Sequence, residues 1–324
     1  MASIVTVGET LVEIMRTERD APLDCPGPFS GPYPSGAPAI FAGAAARLGA
    51  SVGFVGTVGH DAFGNCVRDR LRCDGVDVSG MRRQRELLTG IAFVAYASDD
   101  TRSFIFHLPQ SAAAHVTSDQ IPKGYLEETR YLHIMGSSLS IGEELRETCY
   151  KLARRVHANG GTVSLDPNLR PELLPEEEIR AVCAPVLDIA DIVLPSGEEL
   201  ASLTGKADTS KGAEELVARG IKIVALKRGA RGARLYTRDD VFDIPPYEVE
   251  EVDPTGAGDC YDAAFIVSLS RGWPLKISAR YANAAGALAT TRLGPMEGTF
   301  DHQYVADFMA SQGMSLPPSF ENGE

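Results

Sequence analysis

No stretch of this 324-residue chain is long and apolar enough to span a membrane. Its N-terminus lacks a basic region, and Glu9 and Glu13 interrupt the apolar residues there, so it does not read as a secretory signal. Positive charge is in deficit: 31 Lys and Arg against 44 Asp and Glu leave a net charge of −13. That balance argues against a nucleic-acid partner and against binding to an anionic membrane. It still permits a phosphorylated small ligand, held locally by backbone N–H groups or through a divalent metal. The six cysteines (Cys25, Cys66, Cys73, Cys149, Cys183 and Cys260) are scattered, with no C-x-x-C pair. A reduced, cytoplasmic protein with free thiols is expected. No G-x-x-x-x-G-K-[ST] loop occurs, no His pair has the spacing of a helical zinc site, and no internal repeat is found.

What is present centres on Asp253-Pro254-Thr255-Gly256-Ala257-Gly258-Asp259 and the apolar run behind it. The stretch reads as a turn that becomes the first turn of a buried helix. Such a helix start offers free N–H groups and a partial positive charge, which suit a phosphate. Asp259 would be repelled by a static phosphate there. It makes chemical sense as a base that takes a proton from a hydroxyl attacking that phosphate. A plainer reading is a first-turn Asp serving the helix dipole, with glycines serving the turn. A dinucleotide fingerprint is disfavoured, because Tyr261 stands where it wants a third glycine.

Along the chain, strand and helix patterns alternate. Strands are expected at Ser3–Val7, Val52–Thr57, Tyr131–Met135, Thr162–Asp166, Ile192–Leu194 and Ile221–Lys227. Helices are expected at 38–48, 62–73, 141–158, 176–187, 198–203, 213–219, 260–270 and 277–291. This predicts an α/β fold: a doubly wound, mostly parallel sheet with helices on both faces, and ligands beyond the carboxyl ends of its strands. One piece breaks the pattern. Gly90–Tyr96, a turn at Ser98-Asp99-Asp100, and Arg102–His107 read as a hairpin. With extended pieces between residues 11 and 33 it makes a small β-sheet lid. The domain is expected over 1–312, with lid segments 11–33 and 89–108 inserted, and a polar tail over 313–324. Phe93, Ala95, Phe104 and Phe106 are expected to form one lid face, buried on the domain or on a second subunit. A homodimer through the lid is the preferred expectation.

Several motifs in one order resemble the ribokinase-like (PfkB) family of carbohydrate kinases. Asp253–Asp259 is similar to the family's C-terminal signature. Ser35-Gly36-Ala37-Pro38-Ala39-Ile40, Ala46–Ala50 and Val55–Gly64 are similar to the N-terminal one. Ser111-Ala112-Ala113, Asp166-Pro167-Asn168-Leu169-Arg170 and Pro195-Ser196-Gly197-Glu198-Glu199 fall between them, so the likeness runs from about residue 3 to 305. The resemblance implies an ATP- and magnesium-dependent sugar kinase. Asp259 would be the general base. The N–H groups of Gly256, Ala257 and Gly258 would hold the transferring phosphoryl group. Glu199 would act through the water shell of magnesium, although Ser196 stands at the family's Asn position. Asp166, Asn168 and Arg170 would face substrate or phosphate, and Glu9, Gly36, Ala37 and His107 the sugar. The Lys227–Gly232 turn, with Gly229 and Gly232, would border the nucleotide, and Asn283 the adenine. Carbonyls near Asp253, Thr255, Ala289, Gly294 and Gly298 match positions that hold potassium in relatives.

The sugar side departs from the family pattern at Ser35 (usually Gly), Ile40 (usually Asn) and Leu108 (Arg in keto-sugar-acid kinases). A 2-keto sugar is the expected substrate. A neutral ketohexose such as fructose or tagatose is placed slightly ahead of 2-keto-3-deoxygluconate, whose carboxylate wants a paired cation. A nucleoside kinase on the same fold and a non-catalytic sugar sensor are the rival readings. The sensor would have no use for Asp259.

Overall fold

The computed structural model describes residues 2–98 and 101–317. Asp99 and Asp100 of the expected hairpin turn, and residues 318–324 of the expected tail, lie outside the described residues. The frame is a nine-stranded sheet. In chain order its strands are β1 (Ile4–Val7), β4 (Val52–Gly59), β5 (Asp77–Gln84), β8 (Tyr131–Met135), β9 (Thr162–Asp166), β10 (Ile192–Val193), β11 (Ile223–Lys227), β12 (Ala233–Tyr236) and β13 (Val241–Ile244). They lie in the order β13-β12-β11-β10-β9-β8-β1-β4-β5. All pairings from β5 to β11 are parallel, and β12 and β13 add an antiparallel edge.

The central strands are buried on both faces, so they read as continuous apolar runs rather than alternating ones. Their side chains divide between two cores. Ile4 points into one, with α1 (Ala37–Arg47), α2 (Ala62–Cys73), α8 (Ala257–Ser270), α9 (Leu275–Ala289) and α10 (His302–Ser311). Val5 and Val7 point into the other, with α3 (Gly136–Ile141), α4 (Glu143–Ala158), α5 (Glu176–Leu187), α6 (Gly197–Thr204) and α7 (Thr209–Ala218). This is the expected doubly wound arrangement. The helix α8 is buried from Asp259 to Ser268, Asp259 and Asp262 included, and packs into the first core, which is why its sequence shows little amphipathic period.

A second sheet of four strands stands apart, in the order β3 (Phe29–Ser35), β2 (Leu11–Arg16), β6 (Gly90–Tyr96), β7 (Arg102–His107). The expected hairpin is present as the antiparallel β6–β7 pair, and β2 runs parallel to β6. Three elements were not anticipated. The strand β5 carries few apolar residues because it is an edge strand. The short helix α3 directly follows β8, in a stretch where no element was expected. The helix α10 follows what looked like the last helical run. The helix expected from Ile141 begins at Glu143 as α4, after Gly142, whose extended backbone (φ −176°) separates α3 from α4.

Candidate active site

The carboxyl ends of β1, β8, β9 and β11 and the start of α8 converge on one place. The turn before α8 closes with Gly256 at φ +81°, a left-handed conformation. A Cβ there would also lie 2.5 Å from the Pro295 carbonyl oxygen, so glycine is required on two counts. Ala257, Gly258 and Asp259 then form the first helical turn, whose N–H groups have no partner four residues back. The Ala257 N–H leans to the Pro254 oxygen at 3.3 Å and closes the turn, so it is less free than expected.

Asp259 is buried, and the Nδ2 of Asn168 lies 3.5 Å from its Oδ1. Asn168 follows β9 with φ +39°, an uncommon backbone for a residue other than glycine. Asp166 holds that turn by accepting the Asn168 N–H at 3.1 Å. Among the described residues the buried Asn168 Oδ1 has no hydrogen-bond partner. Burial, helped by Asp166 and Glu9 and opposed by Lys227 and Arg170, raises the Asp259 carboxyl to about 7. A carboxyl poised near neutrality can accept a proton and release it again.

Beneath α8 lies a buried charge cluster. The Lys227 Nζ sits 2.8 Å from Asp166 Oδ2 and 3.2 Å from both Asp262 oxygens. Burial works to lower the Lys227 pKa, but Asp166, Asp262 and Glu199 outweigh it and keep the ammonium charged. Burial raises Asp262 well above the usual carboxylate range. His133 stacks on Phe41 with ring centroids 4.1 Å apart, and burial pushes it down to about 3, so it is neutral. Glu199 caps α6, accepting N–H groups from Ser196 at 2.6 Å and Leu169 at 3.3 Å. Ser196, at the family's Asn position, is the N-cap of that helix and completes a capping box with Glu199. Glu9, at the end of β1, is buried and takes hydroxyls from Ser137 at 2.7 Å and Ser138 at 2.5 Å.

The family model for pfkB carbohydrate kinases matches residues 1–301. The chain belongs to the pfkB carbohydrate kinase family. It is 32% identical to a fructokinase of Vibrio alginolyticus, over 91% of this chain and 95% of that one. It is 33% identical to fructokinase-1 of Zea mays, over 90% and 92%. Among solved structures, an Escherichia coli protein provisionally named ribokinase II, in complex with ATP and Mg²⁺, superposes with a TM-score of 0.90 at 40% identity, covering 96% of this chain and all of that one. A fructokinase of Vibrio cholerae with fructose, ADP and calcium bound superposes with a TM-score of 0.83 at 28% identity, over 94% and 98%. This pfkB kinase is therefore a sugar kinase with the ribokinase-like fold.

The lid of this pfkB kinase reaches the same place from above. The β2–β6–β7 register puts Glu13, Ala92, Val94, Tyr96, Arg102, Phe104 and Phe106 on one face. From that face Tyr96 Oη reaches Asp253 Oδ1 at 3.0 Å and Thr255 Oγ1 at 2.9 Å, and Arg102 reaches Thr255 Oγ1 at 3.2 Å. Glu13 accepts the Ser35 hydroxyl at 2.5 Å, while its buried Oε2 has no hydrogen-bond partner among the described residues. Burial pushes the Glu13 carboxyl up to about 7.

Four expectations need correction. His107 pairs with Ile91 on the other lid face, away from Tyr96 and Asp259, and its ring meets Phe93. The aromatic residues of the hairpin do not share a face: Phe104 and Phe106 stack on the inner side, and Phe93 packs with Phe29 on the outer side. Leu108 is packed in the second core, against Gly90, rather than facing a sugar. Lys227 and Asn283 do not offer their side chains to a nucleotide. The Lys227 ammonium is held by carboxylates, and the Asn283 amide is given to the carbonyls of Ile244 and Pro245 at 3.4 and 2.8 Å.

Gly229 does line an open groove of about 430 Å³ with Ser196, Gly197, Thr209 and Arg228. Gly232 lies under the Ile244 carbonyl, and Gly36 and Ala37 open α1 beside Glu9. Glu13, Ser137, Ser138 and Tyr96 were missed. A lone acid inside Leu11-Val12-Glu13-Ile14-Met15, and two serines directly after a buried strand, were the available signals.

Proposed function

We propose that the enzyme transfers the γ-phosphoryl group of ATP to the terminal primary hydroxyl of a neutral ketohexose, fructose or tagatose, with 2-keto-3-deoxygluconate as the next candidate. The observation that carries this is a set of buried acceptors gathered within electrostatic reach of Arg170, with Asn168 beside Asp259. Glu13 Oε2 and Asn168 Oδ1 lack donors, and Glu9, Glu13 and Asp259 are all raised by burial. Sugar hydroxyls would supply the missing donors. A substrate carboxylate would meet three acidic groups instead. Of the nearby arginines, Arg102 is given to Thr255, and Arg170 binds the Leu169 carbonyl at 2.8 Å.

In this reading Asp259 takes the proton from the attacking hydroxyl, and Asn168 orients it. The N–H groups of Gly256, Ala257 and Gly258 and the guanidinium of Arg170 hold the transferring phosphoryl group. Asp166 fixes the Asn168 turn. Glu9, Glu13, Gly36 and Ala37 shape the sugar pocket, and the lid excludes water. The nucleotide lies along the groove bordered by Gly229 and Gly232, with Asn283 holding the neighbouring loop. Relatives solved with ATP and with Mg²⁺ support this cofactor pair.

Glu199 fits a magnesium ion held through water, since each of its oxygens accepts one N–H and keeps lone pairs. A potassium ion fits the oxygen-rich loops of Asp253, Thr255, Ala289, Gly294 and Gly298. There Gly298 packs so closely on the Ala289 carbonyl that a Cβ would clash. The chain works as one catalytic unit over 1–312 with the lid segments inserted, in the cytoplasm. Among the described residues no helix is long and apolar enough to cross a membrane.

The outer lid face supports a homodimer through the lid, because Phe29 and Ile105 are 38% and 46% exposed beside Phe93. Light scattering should give twice 34.6 kDa, and the monomer mass at all working concentrations would exclude the dimer. For the reaction, NMR of the product formed from fructose and ATP should place phosphorus on the terminal carbon. Phosphate on a secondary oxygen would contradict the proposed pose.

A further inference from the structure

The Lys227 side chain of the nucleotide-side turn faces inward, and its partners belong to two different elements. Asp166 ends β9 and holds the strained turn of Asn168. Asp262 lies on the second turn of α8, three residues beyond Asp259, and is fully buried. The Nζ bridges them at 2.8 and 3.2 Å, with only 14% of the side chain exposed. It also sits 3.5 Å from where a Cβ of Gly258 would be, directly under the proposed phosphoryl-binding turn.

We propose that Lys227 is a positioning residue for phosphoryl transfer, clamping the end of β9 to α8 so that Asn168 and Asp259 keep their mutual distance and Asp259 stays available as a base. This rests on the reading of Asp259 as the base. Two mechanical links run through the ammonium: Lys227–Asp166–Asn168 on one side and Lys227–Asp262–α8 on the other. Between their far ends lies the 3.5 Å contact of Asn168 Nδ2 with Asp259 Oδ1. A neutral side chain at 227 would leave Asp166 and Asp262 facing each other with a shared proton and one remaining negative charge, a state that two adjacent buried carboxyls adopt. The groups acting on Asp259 are Asp166 and Glu9, which raise it, and Lys227 and Arg170, which lower it; Asp262 is a further acidic neighbour on its own helix. Loss of the Lys227 charge therefore moves the base upward, and loss of the Asp166 charge moves it downward.

The test is the pH profile of kcat/KM for fructose in three variants of the full chain. Lys227→Met is expected to lower kcat by about tenfold to a hundredfold, the scale of a small misplacement of reacting groups. Its acid limb should move up by about one pH unit, as expected for a nearby opposite charge removed. Asp166→Asn should move the limb the other way, which keeps the proposal open to refutation if Lys227→Met does not fold. Lys227→Arg, which retains the charge, should restore the position of the limb. A limb unmoved in both Lys227→Met and Asp166→Asn, with only thermal stability reduced, would make Lys227 a packing residue and overturn the proposal. If Lys227→Met does not fold, an unmoved limb in Asp166→Asn alone would overturn it. Asp259→Asn separates this from failure of the base assignment. Near-normal turnover there removes the base itself, whereas an inactive Asp259→Asn beside unmoved limbs removes only the part given to Lys227.

Discussion

The large sheet and the lid both bury acids beside the proposed sugar site, and they settle the charge in different ways. On the floor, Asp166, Asp262 and Glu199 surround the Lys227 ammonium, and every link is made within the protein. On the lid, Glu13 has a single hydroxyl partner in Ser35 and one oxygen with none. A compensated cluster holds its geometry before any ligand arrives, which is what a catalytic floor needs. An acid left short of donors is completed by the ligand, which is what a selecting lid needs. In the proposed reading, catalysis sits on the large sheet and Glu13 of the lid takes part in choosing the sugar, the two being joined through Tyr96 and Arg102 to Asp253 and Thr255.

The largest expected effect lies on the floor. Asp259→Asn should lower kcat by at least about a hundredfold, the usual worth of a general base. Sugar affinity measured by calorimetry should change little, because the amide keeps the shape. Turnover near that of the parent enzyme would move the proton transfer elsewhere.

The next effect sharpens the contrast in charge. Glu13 is raised from an ordinary carboxylate to about 7 by burial. A carboxyl raised in the folded state binds its proton there more tightly than in the unfolded chain. Its contribution is fully present below about pH 4.3 and is lost as pH rises through 7. Glu13→Gln keeps the acceptor for Ser35 and should flatten the fall in Tm between about pH 5 and 8. The effect should be at most on the order of 3 kcal/mol, the free energy of a shift of between two and three pKa units. An identical Tm profile in the variant would mean that Glu13 is solvated or compensated like the floor acids.

The smallest effect concerns the junction. Tyr96→Phe removes the hydroxyl that meets Asp253 and Thr255, a loss of about 1 kcal/mol per hydrogen bond. KM for the sugar should rise about fivefold with kcat less affected, and ATP hydrolysis without sugar should increase as the lid opens more often. Unchanged KM and hydrolysis would detach the lid from the floor.

The same division explains what could be seen in the sequence. Floor residues lie in short local motifs, where a turn and the first helical residues fix one another, so Gly256 to Asp259 and Asp166 to Arg170 were legible with their strands and helices. The start of α8 was expected in this stretch, with the apolar helical run from Cys260, and the helix begins at Ala257. Lid residues depend on strand register. One position decides which face a side chain takes, and so His107 and Phe93 were misplaced while Glu13 and Tyr96 were missed. The Lys227 cluster was hidden for another reason. Its members lie on β9, β11 and α8, far apart in the chain, and a lysine beside a glycine-rich turn reads more simply as a phosphate ligand.

The central claim is that this floor phosphorylates a sugar that Glu13 of the lid helps to select, and kcat/KM measured side by side on fructose, tagatose, 2-keto-3-deoxygluconate and ribose tests it most directly. The account predicts the highest value for fructose or tagatose. A preference of more than tenfold for 2-keto-3-deoxygluconate would contradict it, because a carboxylate would then bind beside Glu9, Glu13 and Asp259.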